Sequence, residues 1–527
     1  MILNSGKNER MKKYILLILS FTAVKCFAQI PEDALRYSWY PQSGSARNMA
    51  IGGAMGSLGG DITAAFVNPA GIGFYKNAEF VFTPAILINN NNANYRETIT
   101  ENKKNAFNLG TTGFIWGEQS RRKKENSHAF SIAINQAANF NNVTRYRALN
   151  NYSSYSEQFA EEFSKSGYTI NDILTTNSPM PYSAANALYT YLIDTVTING
   201  NTFVKAAPEY LLDSGHALMQ DMYKRTRGGV YDLSFAFANN IKDKLLWGVT
   251  LGVPFVHYKS NTTFTETDTS SNVFNRFKSF TYNDNFTSSG VGFNLKFGAI
   301  FKPREYIRLG LAIHTPTYML LTDRRTATLN TALESPTGQL ESFYSSSQTF
   351  TNNQEGESKY TQTAPWKAIV SASYVFRESE NVKKQRGFIT ADIEYVNHRS
   401  SRFSSDNEEP TENEKAYYRS LNKVVKNEYK GAFNFRVGGE VKFNIIMARL
   451  GFAYYGKPYK DKDFKANQLL LSGGLGYRNK GFFIDLTYVH RVSKDVSFPY
   501  RLEDRLNTYA SLNQKTGNIV ATVGVKF

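Results

Sequence analysis

The side chains that could do chemistry in this sequence are few and widely spaced. The six histidines are His128, His216, His257, His314, His398 and His490, and no two of them have the spacing of a metal site. A glycine-rich stretch from Gly53 to Gly60 lacks the Lys-Ser/Thr ending of a phosphate-binding loop. Asp461 and Asp463 lack the later glycine and glutamate of a calcium loop, and no G-x-S-x-G nucleophile motif occurs. We therefore expect no catalytic residue, no metal and no cofactor, and we expect the protein not to be an enzyme.

Residues 1–28 are typical of a secretory signal peptide. Two lysines precede an almost continuous apolar run over residues 14–24, which is too short to span a membrane, and a cleavage site follows before Gln29. A lipoprotein anchor on Cys26 is the alternative. Cleavage before Gln29 removes the only cysteine, so the mature chain has no disulfide and no thiolate chemistry.

The composition of the 527 residues favours β-strands that face lipid. A mean hydropathy of -0.41 rules out a bundle of membrane helices. The 33 tyrosines and 38 phenylalanines together outnumber the 45 acidic residues, which is natural where strands present aromatic rings to a bilayer. The net charge of +16 is dispersed through turns and loops, so we expect no nucleic-acid partner.

Apolar and polar residues alternate with a period of two over much of the chain. The last strand places Ile519, Ala521, Val523, Val525 and Phe527 on one face and Asn518, Thr522, Gly524 and Lys526 on the other. Fourteen such segments are predicted, at 78–88, 105–116, 127–139, 229–240, 245–259, 288–302, 306–321, 363–376, 387–397, 432–443, 446–456, 467–478, 480–491 and 516–527. We predict an all-β chain that forms a transmembrane antiparallel β-barrel of about 14 strands over residues 78–527.

The connections between these segments alternate short and long. An even number of strands places both ends of a barrel in the periplasm, with short turns there and long loops outside. A soluble β-sandwich also shows alternation, but secretion, strands of about ten residues and aromatic strand ends favour the membrane barrel. Several short turns are basic, such as Lys302 with Arg304 and Lys383 with Lys384. These turns either contact lipid headgroups in the periplasmic leaflet or are simply solvated.

The longest connection, residues 140–228, is too long for a simple loop. Residues 156–163 and 182–192 have helical spacing, for instance Phe159 with Phe163 and Leu188 with Leu192. We predict a partly helical extracellular loop, whose apolar faces either pack on each other or form a landing groove for a greasy ligand.

The residues before the first strand do not have the pattern of a strand. Residues 44–71 are rich in Gly and Ala, which allow close backbone packing and positive φ angles. A barrel of fourteen strands is too wide to be filled by its own side chains, so a segment of small residues is a reasonable occupant of its lumen. We predict that residues 29–77 form such a lumen hatch, the alternative being a flexible leader outside the barrel.

This N-terminal segment resembles the hatch of the FadL/TodX outer-membrane transporters. The resemblance covers the whole mature chain in architecture and residues 44–71 in motif. The matching residues are Gly44, Ser45, Ala46, Arg47, Met49, Ala50, Gly52, Gly53, Ala54, Gly59, Gly60, Asp61, Asn68, Pro69, Ala70 and Gly71. The resemblance implies a hatch or gating role for Arg47, Gly52, Gly53, Gly59, Gly60, Asp61, Asn68, Pro69 and Ala70. It also implies passive inward transport of long-chain fatty acids or other hydrophobic compounds through the outer membrane of a Gram-negative bacterium.

The resemblance further implies that the ligand leaves sideways, beside a kinked third strand. Here the third strand meets Asn135 and Gln136 after an outward apolar row, so we predict a bulge or lateral opening there. A strand end at the membrane interface explains Gln136 equally well. The expected partners are hydrophobic small molecules and outer-membrane lipids, and the protein is expected to be monomeric. The alternative function is that of a surface barrel that docks components of a protein secretion system.

Overall fold

The computed structural model describes residues 32–198, 200–376, 386–461 and 466–527. The predicted signal peptide and its cleavage site lie outside the described residues. The same holds for the predicted basic turn at Lys383 and Lys384.

The described chain consists mainly of β-strands. The helices are α1 (Asp33–Arg36), α2 (Ala46–Ala50), α3 (Ala64–Val67), α4 (Tyr155–Ser166), α5 (Ile170–Ile173), α6 (Ala184–Tyr189), α7 (Ala207–Asp213) and α8 (Glu412–Glu428), with 3-10 turns at Pro69–Phe74, Ser347–Phe350 and His398–Ser400. The strands are β1 (Glu79–Phe82), β2 (Pro84–Tyr95), β3 (Thr98–Leu109), β4 (Thr112–Gln119), β5 (Ser127–Asn139), β6 (Asn142–Asn150), β7 (Ile193–Ile198), β8 (Asn201–Ala206), β9 (Leu218–Ile241), β10 (Leu245–Asp268), β11 (Ser279–Arg304), β12 (Ile307–His314), β13 (Tyr318–Glu334), β14 (Leu340–Ser346), β15 (Gly356–Thr363), β16 (Lys367–Phe376), β17 (Gly387–Asn397), β18 (Arg402–Ser405), β19 (Gly431–Phe443), β20 (Ile446–Tyr455), β21 (Gln468–Asn479), β22 (Phe482–Ser497) and β23 (Ala510–Lys526). Within the described residues, no helix is both long enough and apolar enough to cross a membrane.

The strands form one closed antiparallel wall. Six of its fourteen strands are interrupted and consist of the pairs β1 and β2, β3 and β4, β5 and β6, β12 and β13, β15 and β16, and β17 and β18. The wall closes where β23 pairs with β22 on one side and with β1 and β2 on the other. The predicted fold class, a 14-stranded antiparallel β-barrel, is confirmed.

The two faces of the wall have opposite chemistry. Along β10 the exposed side chains include Leu245, Trp247, Leu251 and Phe255, which form part of an apolar band around the barrel. Ten residues of a tilted strand rise about 25 Å, the usual height of such a band. The inward faces carry buried charges, such as Asp392. Because a soluble sandwich would bury the apolar face instead, this inversion is that of a barrel in lipid.

Several strands run far beyond the predicted segments. The predicted loop 140–228 is wrong at both ends, since Asn142–Asn150 is strand β6 and β9 already begins at Leu218. Above the lipid both faces of a strand meet water or protein, so the alternation that marks a half-buried strand fades there. The sequence pattern therefore detected only the lipid-facing half of these strands.

The middle of the predicted loop forms a cap over the end of the barrel opposite the short turns. We call residues 151–217 together with the loop 498–509 the cap. It contains helices α4 to α7 and the β7–β8 hairpin. Phe159, Phe163, Leu188 and Leu192 are all buried in one apolar cluster with Tyr500. The apolar helix faces therefore pack on each other.

Candidate functional site

Residues 44–75, called the inner segment below, lie against the inward faces of the wall. Ser45 begins helix α2, because its hydroxyl accepts a hydrogen bond from the Asn48 amide. Asn68 caps the 3-10 turn that follows in the same way, with Pro69 at its first position. Short helices joined by glycines make the inner segment compact, and nearly all of its residues are buried.

The four predicted hatch glycines lie at turns of the inner segment. Gly52, Gly53, Gly59 and Gly60 all have φ between +65° and +79°, a region that other residues adopt at a cost. At Gly59 a Cβ atom would stand 2.4 Å from the Phe74 ring. These glycines are required by the local backbone, whatever role the segment has in transport.

The predicted residues Arg47 and Asp61 brace the inner segment internally. The Arg47 guanidinium donates to the Gly60 carbonyl at 2.8 Å and lies 3.7 Å from the Glu440 carboxylate of the wall. The Asp61 carboxylate accepts from the Ser45 hydroxyl at 2.7 Å and from the Thr63 amide at 2.9 Å. Both side chains therefore stabilise the turn that folds the segment back on itself.

Asn68, Pro69 and Ala70 lie directly on the wall. The Asn68 amide group donates to the Gly56 carbonyl at 2.5 Å and to the Ala299 carbonyl of β11 at 3.2 Å. This approach needs glycine in the wall, since a Cβ on Gly298 would stand 1.8 Å from the Asn68 side-chain oxygen. Pro69 and Ala70 are fully buried beside this contact.

Wall side chains that hold the inner segment were not predicted from the sequence. The Asp392 carboxylate accepts from the Met55 and Gly56 amides at 3.1 Å each. Further contacts to inner-segment backbone come from Thr250, Arg308, His314, Ser472, Thr487 and Thr522. Each is an inward polar residue of an alternating strand, and the sequence offers no signal that separates them from other inward residues.

Ion pairs surround the inner segment inside the barrel. The Arg449 guanidinium lies 2.6 Å from both Glu440 and Asp485. Lys296 lies 2.8 Å from Asp232, and Asp392 is itself 3.6 Å from the guanidinium of a neighbouring arginine. Separating the partners of a buried ion pair leaves an uncompensated charge. These pairs therefore hold the inner wall in one arrangement.

Residues 32–43, called the lead segment below, continue through the lumen toward the cap. The Asp33 carbonyl accepts from the Gln362 side chain at 3.0 Å, and the Arg36 guanidinium stacks over the Tyr258 ring at 4.3 Å. Glu32 lies 3.0 Å from Arg501, a residue of the cap loop 498–509. From Glu32, which lies beside the cap, the described chain therefore runs down to the inner segment.

Asn135 and Gln136 lie where the hydrogen-bond ladder of the wall is interrupted. The β4–β5 ladder ends at the pair Thr112 and Ile134. The β5–β9 ladder shifts register just beyond Gln136, which is a β-bulge. The Gln136 side-chain oxygen accepts from the Leu109 amide at 3.1 Å. At this point side chains, and not a backbone ladder, close the wall.

Above this point β3 faces β6 and the end of β5 without a described backbone ladder between them. Asparagine side chains bridge the gap, which we call the seam. Asn102 donates to the Arg145 carbonyl at 2.9 Å, and Asn139 donates to the Phe107 carbonyl at 2.9 Å. Phe107 is exposed in the apolar band, so the lower end of the seam lies at the height of lipid.

A buried carboxyl joins the cap to the barrel. Glu266 of β10 accepts from the Tyr155 amide and from the Gln220 side chain, both at 2.8 Å, and also contacts the Ser154 hydroxyl. It lies eleven residues beyond Phe255, far above the apolar band. Burial raises the pKa of Glu266 to about 8.

We expect the attachment of the cap to weaken as pH rises. The folded-state pKa of Glu266 is higher than its unfolded value of about 4.3, so the protonated carboxyl stabilises the folded cap at low pH. That stability is lost as pH rises through about 8. Limited proteolysis of residues 151–166 should therefore be faster at pH 9 than at pH 6.

Glu266→Gln is the matched control for this pH dependence. The amide mimics the protonated carboxyl, so the ratio of cleavage rates at pH 9 and pH 6 should fall severalfold toward that of an unrelated loop. Equal ratios for the variant and the unchanged protein would contradict the assignment.

Solved structures of a FadL homologue and of two toluene transporters are similar to this chain. A FadL homologue from Pseudomonas aeruginosa matches with a TM-score of 0.51 and 12 % identity, covering 93 % of this chain and 100 % of its own. The toluene transporter TodX of P. putida matches with a TM-score of 0.48 and 12 % identity, covering 93 % of this chain and 99 % of its own. The toluene transporter TbuX of Ralstonia pickettii matches with a TM-score of 0.47 and 14 % identity, covering 93 % of this chain and 100 % of its own.

No family model matches the sequence, and no curated protein matches it. At 12 % identity the likeness to the P. aeruginosa FadL homologue shows the fold. The resemblance stated from the N-terminal motif is confirmed at that level.

Proposed function

We propose that this protein is a channel of the FadL/TodX type that passes hydrophobic compounds through the outer membrane without an energy source. The observation that carries the proposal is the interruption of the wall at Asn135 and Gln136. A hydrophobic compound gains free energy by leaving a polar lumen for lipid, so its channel benefits from a side exit at membrane height. A channel for polar solutes has no use for such an exit.

The inner segment supports the same proposal from inside the barrel. Its polar contacts attach residues 44–75 to the inward face of the wall, and we propose that the segment blocks a straight water-filled passage at this level. The Asn135 side chain accepts from Ser43 at the end of the lead segment at 3.5 Å and from Thr111 at 3.3 Å. We propose that movement of the lead and inner segments opens the wall beside Gln136.

The substrate class follows from the apolar surroundings of this exit. Long-chain fatty acids and monoaromatic hydrocarbons both partition into lipid, and toluene is what two of the similar channels carry by name. We propose long-chain fatty acids as the first compounds to test. The alternative from the sequence, docking of a secretion system, stays a prediction.

Proteoliposomes test the transport proposal. The vesicles carry lipopolysaccharide in their outer leaflet, which slows direct entry of hydrophobic compounds. We expect such vesicles to take up radiolabelled oleate or toluene at least tenfold faster when they contain the protein than when they contain a general porin. Arabinose, which is polar and small, should enter only through the porin. Equal entry of the hydrophobic probes into both kinds of vesicle would contradict the proposal.

A further inference from the structure

We propose that the outer face of β9, β10, β11, β13 and β15 carries a binding site for one phosphorylated glycolipid of the outer leaflet, of the lipid A class. The site combines a row of basic side chains that starts on β9 with an apolar cleft that lies below it on β11, β13 and β15. The inference rests on the outer-membrane location proposed above, and it does not depend on which compound the channel carries.

The basic row crosses four neighbouring strands at one height. Arg227 of β9 lies directly opposite Lys259 of β10, Lys259 opposite Thr287 of β11, and Thr287 opposite Arg324 of β13. All four belong to the outward face, because each is an even number of residues from an exposed apolar residue of its own strand. The row therefore presents three cations and one hydroxyl to the surroundings of the barrel.

Two of these cations lack an acidic partner. Over the chain as described, neither Arg227 nor Lys259 has a carboxylate within ion-pair distance, whereas Arg324 is paired with Glu357 at 2.9 Å. Like charges directly opposite on neighbouring strands destabilise a sheet. An anion shared between Arg227 and Lys259 would remove this repulsion, and phosphate is an anion to which both Arg and Lys make strong, charge-assisted hydrogen bonds.

An apolar cleft lies below the row, on β11, β13 and β15. Its volume is ≈ 360 Å³, and it is lined by Val291, Gly292, Phe293, Tyr318, Met319, Leu320 and Thr361. Phe293 and Tyr318 stack along one side, with ring centroids 5.4 Å apart. An acyl chain in this cleft would replace loosely packed lipid with fixed apolar contacts.

The vertical spacing matches one amphipathic molecule. Thr287 stands four residues above Val291, and Arg324 stands four residues above Leu320. Four residues of a strand tilted by about 40° rise roughly 10 Å. Headgroups occupy the layer of about 5–8 Å next to the hydrocarbon, so a phosphate on the row and an acyl chain in the cleft belong to the same lipid.

Native mass spectrometry of the full-length protein in detergent tests the site. The protein is incubated with bis-phosphorylated lipid A, with the same lipid after removal of its phosphates, or with inorganic phosphate. We expect one copy of bis-phosphorylated lipid A to bind at least tenfold more tightly than the dephosphorylated lipid. Relative to the unchanged protein, Arg227→Ser with Lys259→Ser should weaken the binding of bis-phosphorylated lipid A by a factor of ten or more. Thr361→Trp should also weaken this binding, because the larger side chain fills the cleft.

Lys103→Ser with Lys515→Ser is the matched control. These two exposed lysines lie opposite Asn90 on the β2 side of the barrel, each four residues above an exposed apolar residue. We expect the control to bind lipid A within threefold of the unchanged protein. Equal losses in both double variants, equal binding of the dephosphorylated lipid, or displacement of lipid A by inorganic phosphate would each overturn the proposal.

The same variants separate this site from the transport function. Arg227→Ser with Lys259→Ser should leave oleate and toluene uptake unchanged in proteoliposomes. A protein that carries neither compound yet binds lipid A as described would refute the proposed function alone.

Discussion

Asp392→Ala is expected to release the inner segment and to make the barrel leak. The carboxylate accepts from the Met55 and Gly56 amides, both at 3.1 Å, and bonds of this charged kind contribute about 1.5–3 kcal/mol each. Loss of about 3 kcal/mol increases the open population roughly 100-fold. The variant should show a large rise in ion conductance in planar bilayers.

Asp284→Ala is the matched control for this release. Asp284 is paired with Arg325 at 2.7 Å on the extracellular extension of β11, so its loss removes an ion pair without touching the inner segment. Its conductance should equal that of the unchanged protein. If Asp392→Ala folds, as judged by its heat-dependent migration in gels, and still conducts like the control, the inner segment is not the barrier.

Bridging the seam should stop hydrophobic uptake. Phe107→Cys and Asn139→Cys place one thiol on each side of the seam beside Gln136. In the unchanged protein the Asn139 side chain donates to the Phe107 carbonyl there, at 2.9 Å. A short bis-methanethiosulfonate reagent then ties β3 to β5. Because a lateral exit requires these strands to separate, we expect uptake of oleate to fall at least tenfold and to return after reduction.

A bridge across a continuous ladder controls for the reagent. Thr265→Cys and Thr281→Cys lie directly opposite each other on β10 and β11, where a full backbone ladder already joins the strands. That bridge should leave uptake unchanged. Uptake that survives the bridge at Phe107 and Asn139 would place the exit elsewhere.

The sequence predicts the lipid-facing strands well because lipid and lumen impose opposite demands on alternate residues. In β22, exposed Ile484 and Leu486 alternate with buried Asp485 and Thr487, and this pattern is visible without a structure. The upper half of β9 carries the run Lys224–Gly228, which is polar on both faces. No periodicity marks it as a strand, and only its pairing with β10 makes it one.

The candidate site is predictable only in part, for a different reason. Glycines at turns can be recognised from the sequence, because few other residues adopt a positive φ angle; Gly59 and Gly60 are examples. Partners across the lumen do not, because Asp392 and Gly56 are separated by 336 residues and every inward position of the wall is free to be polar. His314 bonds the Val67 carbonyl at 2.8 Å, yet in the sequence it is one isolated histidine on a strand.

Closure of the wall by β23 is coupled to a contact with the inner segment. The Ala46 amide donates to the Thr522 hydroxyl at 2.7 Å across 476 residues, and β23 pairs with β1 and β2 around that contact. This contact joins residues 44–75 to the strand that closes the barrel, so it forms only when β23 reaches its final place. Such long loops close slowly, and the final zipping of β23 onto β2 is therefore the step at which a mutation in the lumen would stall biogenesis.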